Sequence, residues 1–375
     1  MQTRTQLRSA RRWVIKVGSA LLTDAGRGLD VAAIGAWSTQ IAQLRAEGCE
    51  VLLVSSGAVA AGMSRLDWRV RPRELHRLQA VAAIGQMGLV RAWEAGLQAQ
   101  GLSAAQVLLT HDDLADRRRY LNARSALRAL LDVNVIPIVN ENDTVAYEEL
   151  RLGDNDNLAA LVSNLMTADV LVILTDQDGL FDKNPRTHAD ARLIATGLAT
   201  DDELYAMAGP SAADGLGRGG MQTKIQAARQ AARSGTATVI ASGQTDNILQ
   251  RIRTAEFRGT FLGVLEEPLA ARKRWLAGQL KVAGRLVIDA GAERVLRERG
   301  GSLLAVGVTR VVGTFERGEL VSCVTDDNRE VARGLVNYSA AESTRILGKS
   351  SAHIESLLGY VDEPELIHRD NLALI

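Results

Sequence analysis

The chain has 375 residues, 46% of them hydrophobic and 23% charged, with Lys plus Arg equal to Asp plus Glu at 44 each. That length exceeds an ordinary single domain, so two domains are expected, and the apolar content supplies a sizeable core and excludes a disordered chain. Zero net charge excludes a global attraction to nucleic acid or anionic membrane.

The amino terminus carries Arg4, Arg8, Arg11 and Arg12 and superficially resembles a transit peptide. A strand begins at Trp13, however, and no segment is apolar for long enough to be a signal peptide or membrane span, so a short solvated arm is expected. Six apolar runs rich in Val, Ile and Leu come next: Trp13–Val17, Val51–Val54, Gln106–Leu109, Val135–Val139, Val170–Leu174 and Ala237–Ile240. They do not alternate with polar residues, which predicts parallel strands buried on both faces. Between them, Val31, Ile34, Trp37, Ile41 and Leu44 recur at helical spacing before a candidate C-cap, Gly48. Leu158–Met166 and Gln222–Arg233 also read as helices. Alternating strands and helices predict a doubly wound α/β domain to about residue 262.

Beyond it, Arg272–Trp275 lies in a polar connector and the pattern turns to short strands broken by Gly and Asp/Asn turns. Glu319–Val324 and Val331–Asn337 flank Asp326-Asp327-Asn328 and predict a β-hairpin in a second, β-rich domain. The expected boundaries are a catalytic domain at 1–265, a linker at 266–277, the β-rich domain at 278–360 and a tail at 361–375. Cys49 and Cys323 are far apart and, like the five histidines, fit no metal-ligand spacing. Reduced thiols in a cytoplasmic protein without a dedicated metal site are the expectation.

The informative pattern lies at the carboxyl ends of the strands. The first ends in Lys16-Val17-Gly18-Ser19 and the second in Ser55-Ser56-Gly57. The fourth ends in Asn140-Glu141-Asn142-Asp143 and the fifth in Thr175-Asp176-Gln177-Asp178. In open parallel sheets ligands bind at such ends, so several that are polar and glycine-rich describe one composite site. Lys16 closes an otherwise apolar strand; it reads equally as an anion ligand and as half of a salt bridge. Gly215–Gly220 matches GxGxxG without a preceding strand, so it is not a dinucleotide fingerprint. It does open a helix with Lys224 in its first turn, an anion site. Gly153–Asn157 precedes another helix and reads either as caps and turns or as functional residues. GxxxxGK[ST] is absent, as are Ser/His/Asp sets and metal-ligand clusters. Phosphoryl transfer fits best: it needs positioning and charge neutralisation, with Mg²⁺ held largely by phosphates and water.

Read in order, Lys16–Ser19, Ser55–Gly62, Asn140–Asp143, Gly153–Asn157, Thr175-Asp176 and Gly219–Lys224 resemble the glutamate 5-kinases of the amino acid kinase superfamily. The resemblance spans nearly the whole chain, and 278–360 resembles a PUA domain. It implies that Lys16 and Lys224 neutralise the transferring phosphoryl group while Asp156 holds both, and that Ser56, Asp143 and Asn155 bind glutamate. ATP would be bound by Lys16, Gly18, Ser19, Thr175 and Asp176, and by Arg218, Gly219, Gly220, Met221, Gln222, Thr223 and Lys224. Arg218 departs from the family, where Thr is usual. The implied reaction is the first step of proline biosynthesis, transfer of the ATP γ-phosphate to the glutamate side-chain carboxylate. Implied with it are a dimer or tetramer, feedback inhibition by proline and coupling to glutamate 5-phosphate reductase, with Ala58–Trp68 and Ala115–Tyr120 as candidate loops for assembly or inhibition. The alternatives are another small-carboxylate kinase, such as an acetylglutamate kinase or aspartokinase, or an RNA-binding protein acting through the PUA-like segment. The 11 Lys/Arg against 10 Asp/Glu between Gly278 and Tyr360 argue against the last.

Overall fold

All six apolar runs form strands of one sheet. The computed structural model describes residues 1–23, 28–146, 155–209, 220–265 and 282–375. The strands are β1 (Arg12–Val17), β2 (Glu50–Ser55), β3 (Ser103–Leu109), β4 (Val135–Glu141), β5 (Val170–Thr175), β6 (Thr196–Leu198), β7 (Ala237–Ser242) and β8 (Thr260–Gly263). Among the described residues they make an eight-stranded sheet in the order β3-β4-β2-β1-β5-β7-β8-β6. Neighbours from β3 to β7 are parallel. β8 runs antiparallel to β7 and carries β6 beside it. The short strands β6 and β8 have no sequence signature long enough to predict them. β3, at the sheet edge, is mostly exposed or half-buried, so burial on both faces fails there.

The intervening helices are α1 (Ser19–Leu22), α2 (Val31–Ala46), α3 (Ala58–Arg65), α4 (Leu75–Gln98), α5 (His111–Ala115), α6 (Arg117–Asp132), α7 (Asn155–Met166), α8 (Asp202–Met207), α9 (Met221–Ala232) and α10 (Ile248–Arg253). α2 forms as its periodicity predicts. Asp30 accepts a hydrogen bond from the Ala33 N–H, the helix buries Ile34, Trp37, Ile41 and Leu44, and Gly48 comes after it with φ +81°. The Trp37 and Trp93 rings stack at 6.2 Å in the core, with Trp13 fully buried in the same cluster. The arginine-rich start is no solvated arm. Arg4–Ser9 is a 3-10 turn that buries Leu7 completely, and the Arg4 guanidinium lies 3.6 Å over the Phe257 ring.

Two stretches expected as loops are mainly helical. Ala58–Trp68 is α3 with a closing turn, and Ala115–Tyr120 is the junction of α5 and α6. α3 lies in backbone contact with α4. A Cβ on Gly85 would fall 1.9 Å from the Ala58 carbonyl oxygen, and one on Gly62 would fall 1.9 Å from that of Val81. Glycine at both positions is therefore a packing requirement, and it ties the turn after β2 to the body of α4.

The chain divides into two compact units, Met1–Leu114 with Arg124–Pro268, and Ala115–Ala123 with Leu269–Ile375. The linker expected at 266–277, with Arg272–Trp275, falls on 266–281, which lie outside the described residues. The second unit holds β9 (Gly284–Ile288), β10 (Val308–Gly313), β11 (Leu320–Val324), β12 (Glu330–Leu335) and β13 (Leu372–Leu374), in the order β10-β9-β11-β12-β13. β11 and β12 are the expected hairpin. Residues 361–375, expected as a tail, belong to this unit: Ile367 and Leu372 enter its core and β13 pairs with β12. Leu121 packs here with Leu320, Leu335 and Ala373, a grouping of distant segments that no sequence boundary foretells. Among the described residues no helix is long and apolar enough to cross a membrane.

Gly85→Ala is expected to destabilise the protein by about 1–3 kcal/mol because α3 must move away from α4. Gly88, on the same helix, meets nothing within 4 Å, so Gly88→Ala should stabilise by about 0.5–1 kcal/mol. Urea unfolding of the two variants checks the contrast; similar stabilities would refute the close approach.

Candidate active site

β1 is central, hydrogen-bonded to β2 and β5, and Lys16 lies opposite Val54 and Ile173. Its apolar neighbours bury the side chain, leaving it 6% exposed. The ammonium meets a carboxylate: Lys16 Nζ pairs with Asp156 Oδ1 in the first turn of α7. Lys224 Nζ, from the first turn of α9, lies 3.0 Å from Asp156 Oδ2, and the Thr223 hydroxyl donates to the same oxygen at 3.3 Å. Asp156 is completely buried. Burial alone would raise its pKa, but the Lys16 and Lys224 charges and their hydrogen bonds outweigh it and hold the carboxyl well below the usual range. The start of α7 adds a favourable dipole. Of the two sequence readings of Lys16, the salt bridge is the one seen, and it has a second cation, Lys224. Asp156 is within the helix and is not its cap, so capping does not explain it; Gly153 and Asp154 lie outside the described residues.

The parallel strand ends place the other candidates on the same side of the sheet. Gly18 donates its N–H to the Leu174 carbonyl and lies beside the ammonium, a Cβ there standing 3.9 Å from Lys16 Nζ in ordinary contact. Ser19 begins α1. Gly220 caps α9, and Met221, Gln222 and Thr223 supply the helix's first N–H groups. Arg218, Gly219 and the rest of 210–219 lie outside the described residues. Thr175 ends β5 nearly buried and donates to Asp176 Oδ1 at 3.1 Å. Asp176 is exposed and pairs with Arg186 at 3.1 Å, a partner the sequence offers no reason to select.

On the β2 and β4 ends, Ser56 precedes Gly57, whose φ of +103° makes the left-handed turn into α3. Asn155 is 4% exposed; its amide nitrogen donates to the Ser55 carbonyl at 3.0 Å and to Asn140 Oδ1 at 2.8 Å. Its Oδ1 is buried without a partner. Asp143 lies in the turn after β4. Burial pushes its carboxyl up to about 7, Glu141 reinforces the shift and Arg71 opposes it. Asn140, Gln86 and Arg71 are neighbours of this region that the motif reading did not select as site residues. Among the described residues no cluster of three or more His, Cys, Asp or Glu is arranged to hold a metal ion.

A sequence profile of the amino acid kinase family matches residues 11–242, and one of the PUA domain matches residues 284–358. The chain belongs to the amino acid kinase family. Among its relatives, "Glutamate 5-kinase" of Thioalkalivibrio sulfidiphilus is 64% identical over 100% of both chains. Proteins of the same name from Hahella chejuensis and Nitrosococcus oceani are 59% and 60% identical, over 100% and 99% of this chain and 97% and 99% of theirs. The amino acid kinase match spans Lys16, Asp156 and Lys224.

Removing the carboxylate leaves two buried ammonium groups without it. Asp156→Ala is expected to cost about 3–5 kcal/mol at pH 7. Because the folded pKa is depressed, this stabilisation is complete above the ordinary value of 3.8 and is lost as pH falls below it. The gap between wild type and variant should therefore narrow in acid; a gap that widens there, measured by denaturant unfolding, would contradict the ion-pair account.

Proposed function

We propose that this amino acid kinase transfers the γ-phosphate of ATP to the side-chain carboxylate of L-glutamate, giving L-glutamyl 5-phosphate and ADP in the first step of proline biosynthesis. The observation that carries the reading is the buried Asp156 between Lys16 and Lys224. Full-length relatives named glutamate 5-kinase support the choice of glutamate.

The phosphoryl group passes between two oxygens, and its transition state is stabilised mainly by position and charge. Asp156 holds the two lysines so that their ammonium groups face the transferring oxygens, and the N–H groups at the start of α9 add to the same field. Thr175 and Asp176 serve the nucleotide. The glutamate side-chain carboxylate is ionised at neutral pH, so it attacks phosphorus without a general base. A carboxylate oxygen bonds to the γ-phosphorus as the bond to the bridging oxygen breaks and ADP leaves. Mg²⁺ enters as part of the nucleotide substrate, neutralising its phosphate oxygens.

Asp143 in its ionised form and Asn155 Oδ1 together receive the substrate ammonium, and Ser56 lies at the same end. An N-acetylated substrate has no ammonium to offer, which is how the site selects the free amino acid. The acyl phosphate is labile, so the reading includes hand-over to glutamate 5-phosphate reductase; the resemblance to glutamate 5-kinases adds feedback inhibition by proline and a homo-oligomer, and the setting is cytoplasmic.

An ADP-release assay across glutamate, N-acetylglutamate and aspartate, with hydroxylamine trapping the acyl phosphate, tests the reaction. Turnover confined to glutamate with hydroxamate formation is expected; no glutamate turnover refutes the proposal. The Asp143 carboxyl near 7 adds a pH signature. Since the ionised form binds the ammonium, kcat/KM for glutamate should rise with pH through about 7 and then level. Asp143→Asn should raise KM for glutamate and remove that inflection while leaving KM for ATP nearly unchanged. An unaltered profile in the variant would show that Asp143 is not the group.

A further inference from the structure

Asn155 reaches the rest of the protein through an amide chain whose polarity is fixed. The Ser55 backbone carbonyl can only accept, so the Asn155 atom 3.0 Å from it must be the nitrogen. The second N–H of that amide then donates to Asn140 Oδ1 at 2.8 Å. Asn140 therefore turns its own nitrogen to Gln86 Oε1, 2.5 Å away on α4. All three amides are buried, at 4%, 2% and 9% exposure for Asn155, Asn140 and Gln86.

This chain is open at its ends. Asn155 Oδ1 and Gln86 Nε2 are both buried without a partner. Leaving such groups unmade costs about 1–3 kcal/mol each, so a network serving only stability would be closed. The open acceptor sits one residue from Asp156, beside the phosphoryl-transfer centre. Both N–H bonds of Asn155 are engaged inside the protein, so the amide can offer only oxygen outward. Oxygen is the atom an ammonium needs.

We propose that Gln86 is a positioning residue for substrate recognition: by holding Asn140 it locks the Asn155 amide with Oδ1 turned to the substrate ammonium. The inference rests on the reading of this site as an amino acid kinase for glutamate. α4 is suited to the task. Gly85, next to Gln86, fixes the helix against α3, and Trp93 on the same helix donates to Ser55 Oγ at 3.0 Å. One helix thus supports both anchors of Asn155, the Ser55 segment and Asn140. Without an acceptor at position 86, the Asn140 nitrogen loses its buried partner, and its amide is free to reverse. A reversed Asn140 sets N–H against N–H at Asn155, which pushes that amide off its Ser55 anchor and displaces Oδ1 from the substrate ammonium.

Two substitutions separate the roles. Gln86→Met keeps length and removes the acceptor; Gln86→Glu keeps an acceptor oxygen and removes the unpartnered N–H. Steady-state kinetics with both substrates, alongside thermal unfolding, should show KM for glutamate raised about tenfold or more in Gln86→Met. KM for ATP should stay within about twofold, and Gln86→Glu should recover most of the glutamate KM. The relay is overturned if Gln86→Met keeps the wild-type glutamate KM, or if both KM values and melting temperature shift together. It is equally overturned if Gln86→Glu binds glutamate worse than Gln86→Met, which would mean that Nε2 touches the substrate itself. Wild-type turnover keeps the two levels apart. Its absence removes the assigned reaction, whereas normal turnover with an unchanged Gln86→Met KM removes only the relay.

Discussion

One fully buried carboxylate shared by two lysines is the interaction on which the rest of the site depends. Asp156 brings together the end of β1, the start of α7 and the start of α9, three segments far apart in sequence. Burying ions is costly, and an ion pair seldom adds net stability over an apolar core of the same volume. Its presence here is better understood as pre-organisation. Charges fixed before the substrate arrives need no rearrangement as charge develops at the transferring group. The fold supplies the means, because the ends of parallel strands and the starts of helices converge at the same edge of the sheet.

A second organiser is α4. Its backbone contact with α3 at Gly62 and Gly85, its Gln86 amide and its Trp93 indole all act on the ends of β2 and β4. The site thus has two supports of different character. On the proposed assignment, ion pairing holds the phosphoryl side, and a directed chain of neutral amides holds the amino acid side. The distinction suits their ligands. Phosphate oxygens need strong positive charge, whereas an ammonium is well served by a carboxylate and an oriented carbonyl oxygen.

Much of this was legible in the chain. Continuous Val/Ile/Leu runs marked the strands because both faces of a central parallel strand are buried, and polar strand ends marked the site edge. Lys16 stood out as a cation at such an end and Lys224 as one in the first turn of a helix, though their shared partner did not: a salt bridge between residues so distant in the chain has no local signature. β6 and β8 escaped because strands of three and four residues, with one or two large apolar side chains each, are too short for a periodic signal. Gln86 escaped for a different reason. In sequence it is one polar residue in a long amphipathic helix, and only the three-dimensional chain from Ser55 through Asn155 and Asn140 shows its direction. The arginine-rich start misled because composition does not reveal that Leu7 anchors it in the core.

Neutralising Asp156 while keeping its shape probes the centre most directly. In Asp156→Asn the amide retains hydrogen-bonding capacity but loses the charge that fixes both ammonium groups. With saturating glutamate and MgATP, kcat of the folded variant should fall about 10²–10³-fold, while KM for glutamate, assigned under the proposed function to Asn155 and Asp143, changes little. A kcat within a few-fold of wild type would contradict the account, since the two lysines would then hold their catalytic positions without the carboxylate between them.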